Sequence, residues 1–85
     1  MQIALLYFAW VRERIGQGSE TVTLPDEVRS LGGLLGHLRA RGAPYAEALA
    51  EETRIRCAIN QEFAGADAPL RAGDEVAIFP PITGG

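Results

Sequence analysis

The chain ends in Thr83-Gly84-Gly85, directly behind Phe79-Pro80-Pro81-Ile82. A glycine at a free carboxyl end offers a carboxylate with no side chain beside it. A Gly-Gly pair can enter a tunnel too narrow for other residues and adopt backbone angles they cannot. The α-carboxyl has a pKa of roughly 3.3–3.7, so it is ionised near neutral pH. A carboxylate is a poor acyl electrophile, so acyl chemistry at this end requires activation. Pro80 and Pro81 fix φ and reduce the entropy lost when a tail is threaded. The stretch from Pro80 to Gly85 spans up to about 20 Å when extended, enough to reach a buried site in a partner. The plain alternatives are a frayed terminus and a Pro-Pro strand terminator.

Other reactive side chains give weaker signals. Cys57 shares a strand side with Ile59 and reads as a small buried hydrophobe. His37 has no second ligand at metal spacing and reads as a solvated helix residue. Asp26-Glu27 and Glu51-Glu52 read as solvated acidic pairs. All eight basic residues are arginine, so no side-chain amine is present to accept an activated carboxyl.

The bulk composition is that of one small globular domain: 85 residues, 47% hydrophobic and 22% charged. A net charge of -3 without a basic cluster argues against nucleic acid. No apolar run has membrane-spanning length, and Met1-Gln2-Ile3 lacks the charged start of a secretory signal. A single cysteine fits a reducing cytoplasm.

The elements that must position the tail follow from periodicity. The apolar run from Ile3 to Val11 predicts a buried strand. Ser19 to Leu24 alternates and predicts a second, joined to the first as a hairpin by a short Gly-containing link. Ser30 is the expected N-cap of a helix whose Leu31, Leu34, Leu35 and Leu38 form one apolar stripe, with Gly42 at its C′ position. Gly32, Gly33 and Gly36 inside that helix suggest a close approach to a sheet. A short helix is expected from Pro44, carrying Tyr45, Ala48 and Leu49. Arg56 to Asn60, Glu62 to Ala64 and Glu75 to Phe79 read as three further strands. This order predicts an α+β fold with a mixed sheet and one main helix on one face.

Strand parity identifies a second feature. Glu75, Ala77 and Phe79 share one side of the last strand. Gln2, Ala4, Leu6, Phe8 and Trp10 share one side of the first. The polar members mark these as the uncovered sides, so Leu6, Phe8, Ala77 and Phe79 form an expected apolar patch beside the tail. Exposed aromatic clusters mark partner surfaces.

The stretch Gly73-Asp74-Glu75-Val76-Ala77-Ile78-Phe79-Pro80-Pro81-Ile82-Thr83-Gly84-Gly85 resembles the end of the small subunit of molybdopterin synthase, the MoaD family, where G-D-E-V-A-x-F-P-P-V-x-G-G is frequent. Tyr7-Phe8-Ala9-Trp10-Val11-Arg12-Glu13 resembles its F-F-A-x-x-R-E segment, and Ala58-Ile59-Asn60-Gln61 its A-V-N-x turn. The departures are Ile82 in place of valine and the three helix glycines.

The resemblance implies a ubiquitin-like β-grasp domain over residues 1–79 and a flexible, disordered Gly-Gly tail over 80–85. It implies a sulfur carrier that holds no cofactor of its own. An ATP-dependent partner adenylates Gly85, and sulfur displaces AMP to leave a thiocarboxylate. Pro80, Pro81, Ile82, Thr83 and Gly84 thread into the large synthase subunit. Sulfur then passes to a cyclic pterin phosphate to build the dithiolene. The expected assembly is a heterotetramer of two small and two large subunits. By the same resemblance Phe63 joins Phe8 and Phe79 in the partner patch. Arg12 matches a family position suited to a partner carboxylate, with a role in holding the turn as the alternative. A carrier for another pathway, such as thiamine thiazole synthesis, and a ubiquitin-like modifier of protein lysines share the terminal chemistry and stay open at this point.

Overall fold

The structure is a computed structural model, and it describes residues 1–81. Five strands form one sheet: β1 (Gln2–Tyr7), β2 (Ser19–Thr23), β3 (Arg56–Ile59), β4 (Glu62–Ala64) and β5 (Glu75–Phe79). Their spatial order is β2-β1-β5-β3-β4. The central pair is parallel, with Leu5 beside Val76 and Tyr7 beside Ile78. The flanking pairs β1–β2, β3–β5 and β3–β4 are antiparallel. First and last strands therefore lie side by side, as the β-grasp expectation requires.

Alternation decides which face is filled. Ile3, Leu5, Tyr7, Val22, Cys57, Val76 and Ile78 are buried on one side of the sheet. The main helix, α2 (Leu31–Arg39), buries Leu31, Leu34, Leu35 and Leu38 in the same core. Each such leucine contributes roughly 1.5–3 kcal/mol by leaving water. The Ser30 hydroxyl accepts the Gly33 N–H at 3.1 Å, the expected N-cap. Two more of the helix's first N–H groups donate to loop carbonyls, Leu31 to Ala68 and Gly32 to Ala66, both at 2.9 Å.

The structure corrects four expectations. The apolar run from Ile3 to Val11 is not one strand: β1 stops at Tyr7 and a helix, α1 (Ala9–Ile15), follows. Val11 and Ile15 are its buried positions, four residues apart, and Gly16 ends it at φ 93. The β1–β2 connection is consequently this helix and not a short link. Gly32 makes its close approach to the loop after β4, where an added Cβ would come 3.2 Å from the Ala66 carbonyl oxygen, and not to the sheet. Gly42 has the left-handed φ of 94 but stands beyond the helix cap, which is Ala40. The second expected helix is present as α3 (Tyr45–Ala48) behind Pro44, with Ala48 and Leu49 buried.

Asn60 and Gln61, at φ 50 and 70, join β3 to β4 in a two-residue turn. The Asn60 side chain binds this turn to the start of β5. Its Nδ2 donates to Asp74 Oδ1 at 2.9 Å, and its Oδ1 accepts the Glu75 N–H at 3.0 Å. The Asn60 bond and the Arg71 N–H hold the Asp74 carboxyl below its usual pKa. The strand that leads into the tail is thus fixed at its start by a hydrogen-bonded corner.

Candidate functional site

The helix-free face of the sheet carries the site. Register places Leu6, Ala77, Ala58 and Phe63 in one row across four strands, since Leu6 pairs with Ala77, Ala77 with Ala58 and Ala58 with Phe63. Phe79 pairs with Arg56 in the next row. Small side chains in the middle of the first row leave the Phe63 ring standing proud at its end. Phe63 is 79% exposed, and its ring centroid lies 6.0 Å from that of Phe79 at a tilted angle. Phe63, whose side parity alone did not decide, therefore belongs with Phe79. Phe8 is 47% exposed, and its N–H donates to the Ile78 carbonyl at 3.2 Å. It stands as the residue before α1 and not as a strand residue, yet it remains beside the end of β5.

A groove of about 470 Å³ runs along this end of the sheet, lined by Arg56, Cys57, Phe63, Ala64, Gly65, Phe79 and Pro81. Pro80 and Pro81 follow β5 and are half-buried. Ile82, Thr83, Gly84 and Gly85, the residues assigned the threading and the chemistry, lie outside the described residues.

Trp10, expected on the exposed strand face, instead packs on α1 against the edge of the core. The guanidinium groups of Arg14 and Arg54 lie over its ring at 6.0 and 5.6 Å from the centroid. Arg12 is exposed on α1 and its side chain lies against Gly18, where a Cβ would meet Nε at 3.2 Å. Among the described residues it forms no ion pair. Cys57 is buried, and burial, with Glu52 adding to it, pushes its thiol up to about 11, which leaves it a poor nucleophile. Asp26, Glu27, Glu51 and Glu52 are exposed, and His37 is half-buried on α2. No cluster suited to a metal occurs among the described residues.

Sequence reasoning missed a polar network on the opposite flank. Tyr7 and Tyr45 both donate their hydroxyls to Glu20 Oε2, at 2.7 and 2.6 Å, and Arg41 Nη1 donates to Glu20 Oε1 at 3.1 Å. Burial works to raise the Glu20 pKa, but the hydrogen bonds from Tyr45, Tyr7 and Arg41 prevail and hold it below the ordinary carboxylate value. Burial and the bond to Glu20 push the Tyr7 phenol far up, so it stays a donor. A depressed folded-state pKa contributes stability that is present above the unfolded value and is lost as pH falls through the folded one. Glu20→Gln should therefore cost roughly 1–2 kcal/mol at pH 7. That deficit should shrink as pH drops below about 4. Denaturant melts of both proteins across this range check the point, and a deficit constant down to pH 3 would remove the charge of Glu20 from the argument.

The sheet order with its parallel centre and one main helix across a single face defines a ubiquitin-like β-grasp protein. The model of the ThiS family matches residues 5–85, so the chain belongs to that family. The chain is similar to the molybdopterin synthase sulfur carrier subunit of Escherichia coli strain K12, with 40% identity over 83 residues, 98% of this chain and 99% of that one. The crystal structure of SAMP1 from Haloferax volcanii is similar with a TM-score of 0.77 and 26% identity over 100% of both chains. A complex of subunits 1 and 2 of the molybdopterin-converting factor from Helicobacter pylori 26695 contains a chain of the same fold, at TM-score 0.68 and 21% identity over 100% of both chains. No described helix is long and apolar enough to cross a membrane.

Proposed function

We propose that this chain is the sulfur carrier of a molybdopterin synthase, working in the cytoplasm between two partners. The observation that carries the reading is the pairing of exposed Phe63 with half-buried Phe79 at the end of β5, the strand whose next residues lead to Gly84-Gly85. A carrier needs a rigid face by which partners hold it and a slender end on which they act. In an activating partner the Gly85 carboxylate attacks the α-phosphate of ATP, and pyrophosphate leaves. Hydrogen sulfide anion then attacks the acyl carbon and AMP departs, leaving the thiocarboxylate. In the large synthase subunit the thiocarboxylate sulfur attacks a side-chain carbon of a cyclic pterin phosphate as a C–O bond at that carbon breaks and its oxygen leaves. Water then cleaves the acyl–sulfur bond, restoring the Gly85 carboxylate and leaving the sulfur on the pterin. In this reading the partners supply the acids and bases of these steps. The chain supplies reach through Pro80 to Gly84, and a docking face through Phe8, Phe63 and Phe79. Arg12 is available as a charged contact at the same end of β1, and the assembly in this reading is a heterotetramer of two small and two large subunits, with one carrier on each large subunit.

The naming of the 40% identical Escherichia coli relative supports the carrier role, and the Helicobacter pylori complex supports a second subunit as partner. The likeness to SAMP1 at 26% identity favours one second reading, a modifier joined to protein lysines. Reconstitution tests the reading: the chain bearing a terminal thiocarboxylate, mixed with the large subunit and the cyclic pterin, should yield dithiolene without ATP. Failure to do so while lysine adducts accumulate in lysate would favour the modifier. In the same assay Gly84→Ala should lower the rate about tenfold or more, because a Cβ restricts the tail and meets the tunnel wall. An unchanged rate would argue against tight threading.

A further inference from the structure

Arg56 is the exception on an otherwise apolar docking end. It is exposed on β3, paired across the sheet with Phe79, and lines the groove with Phe63 and Pro81. Its Nη1 donates to the carbonyls of Ile55 at 2.9 Å and Thr53 at 3.4 Å. One corner of the guanidinium is thus anchored to backbone, and among the described residues its Nε and Nη2 make no hydrogen bond. Among the described residues no carboxylate pairs with it. Glu52, which lines an adjoining groove with Arg56, is paired with Arg39 at 3.5 Å instead. A guanidinium held by backbone carbonyls loses little freedom on pairing, and its fork suits a carboxylate better than any other group a protein partner offers.

We propose that Arg56 is a specificity contact of the docking face: it receives an Asp or Glu side chain of the large synthase subunit, presented beside the apolar surface that covers Phe63 and Phe79. Charge complementarity selects this occupant, because an apolar segment alone would leave the cation desolvated and unpaired at the rim of the groove. The inference rests on the carrier reading above, and its test separates the two.

Calorimetric titration of the large subunit with the parent chain, Arg56→Met and Phe79→Ala is the experiment, run at about 50 mM and about 500 mM salt to contrast weak and strong screening. Methionine keeps the apolar stem and removes the charge, and the exposed position should leave the melting temperature unchanged. At low salt Arg56→Met should bind about tenfold more weakly than the parent, and at high salt the two should converge. Arg56→Glu should bind more weakly still. Parental affinity for Arg56→Met at both salts, with Phe79→Ala weakened, would overturn the proposal and leave the docking face standing. Parental affinity for both variants would overturn both. A dimer of the parent chain that Arg56→Met fails to form, with affinity for the large subunit unaltered, would overturn it in favour of a second copy as the occupant.

Discussion

Deleting Gly85 should abolish dithiolene formation and leave the fold untouched. In the proposed reading activation is at one carbonyl carbon, which the partner's active site must meet at a fixed distance from the docking face. Removing one residue draws the carboxylate back by about 3.5 Å, far outside the range over which reacting atoms remain productive. Among the described residues Ile78 is the last fully buried one. Denaturant melts of the truncated chain should therefore superimpose on those of the parent. Turnover by the truncated chain within tenfold of the parent would show that the terminal carbonyl is not the reacting group.

Phe79→Ala should weaken binding to the large subunit and to the activating enzyme together. One tail cannot occupy two active sites at once, so in the proposed reading one docking face serves each partner in turn. Truncating an aromatic anchor at the centre of an interface costs about 2 kcal/mol or more, which is roughly thirty-fold in affinity. Phe79 lies on the open face with its ring against Phe63, outside the buried core, so the melting transition should move little. Titrations paired with melts separate the outcomes: loss of both affinity and stability would return Phe79 to the core, and unchanged affinity in a folded protein would remove it from the docking face.

The order of the strands and the main helix was legible because their signals are local. The leucine stripe of α2 has a helical period, Ser30 stands where a cap must stand, and β5 alternates cleanly from Glu75 to Phe79. Parity alone placed Leu6, Ala77 and Phe79 on the open face. The first error came where two periods overlap. Phe8, Trp10 and Val11 continue the apolar run of β1, and nothing in their types stops a strand. The turn into α1 lies in Ala9, at a φ of 52 that few non-glycine residues adopt. The helix signal was present, though fainter, in Val11 and Ile15 four residues apart with Gly16 behind them. Trp10 was misplaced by the same extension.

What the sequence could not yield is tertiary. Glu20, Tyr7 and Tyr45 meet across separations of 13 and 25 residues, and no spacing rule connects them. Arg56 looked like one polar residue of an alternating strand, and only the β3–β5 register sets it beside Phe79. The family was readable for the opposite reason, since the motif that carries the resemblance is continuous from Gly73 to Gly85 and needs no partner from elsewhere in the fold.

The central claim is that Gly85 carries sulfur. The direct measurement is the intact mass of the chain isolated from cells that are making molybdopterin, taken under conditions that preserve thioacids. A sulfur carrier should give a species heavier than the plain chain by the replacement of one oxygen with sulfur, with the change confined to a terminal peptide containing Gly85, and absent when the activating enzyme is deleted. A chain found only with an unmodified carboxylate, or only joined to protein lysines, would contradict it.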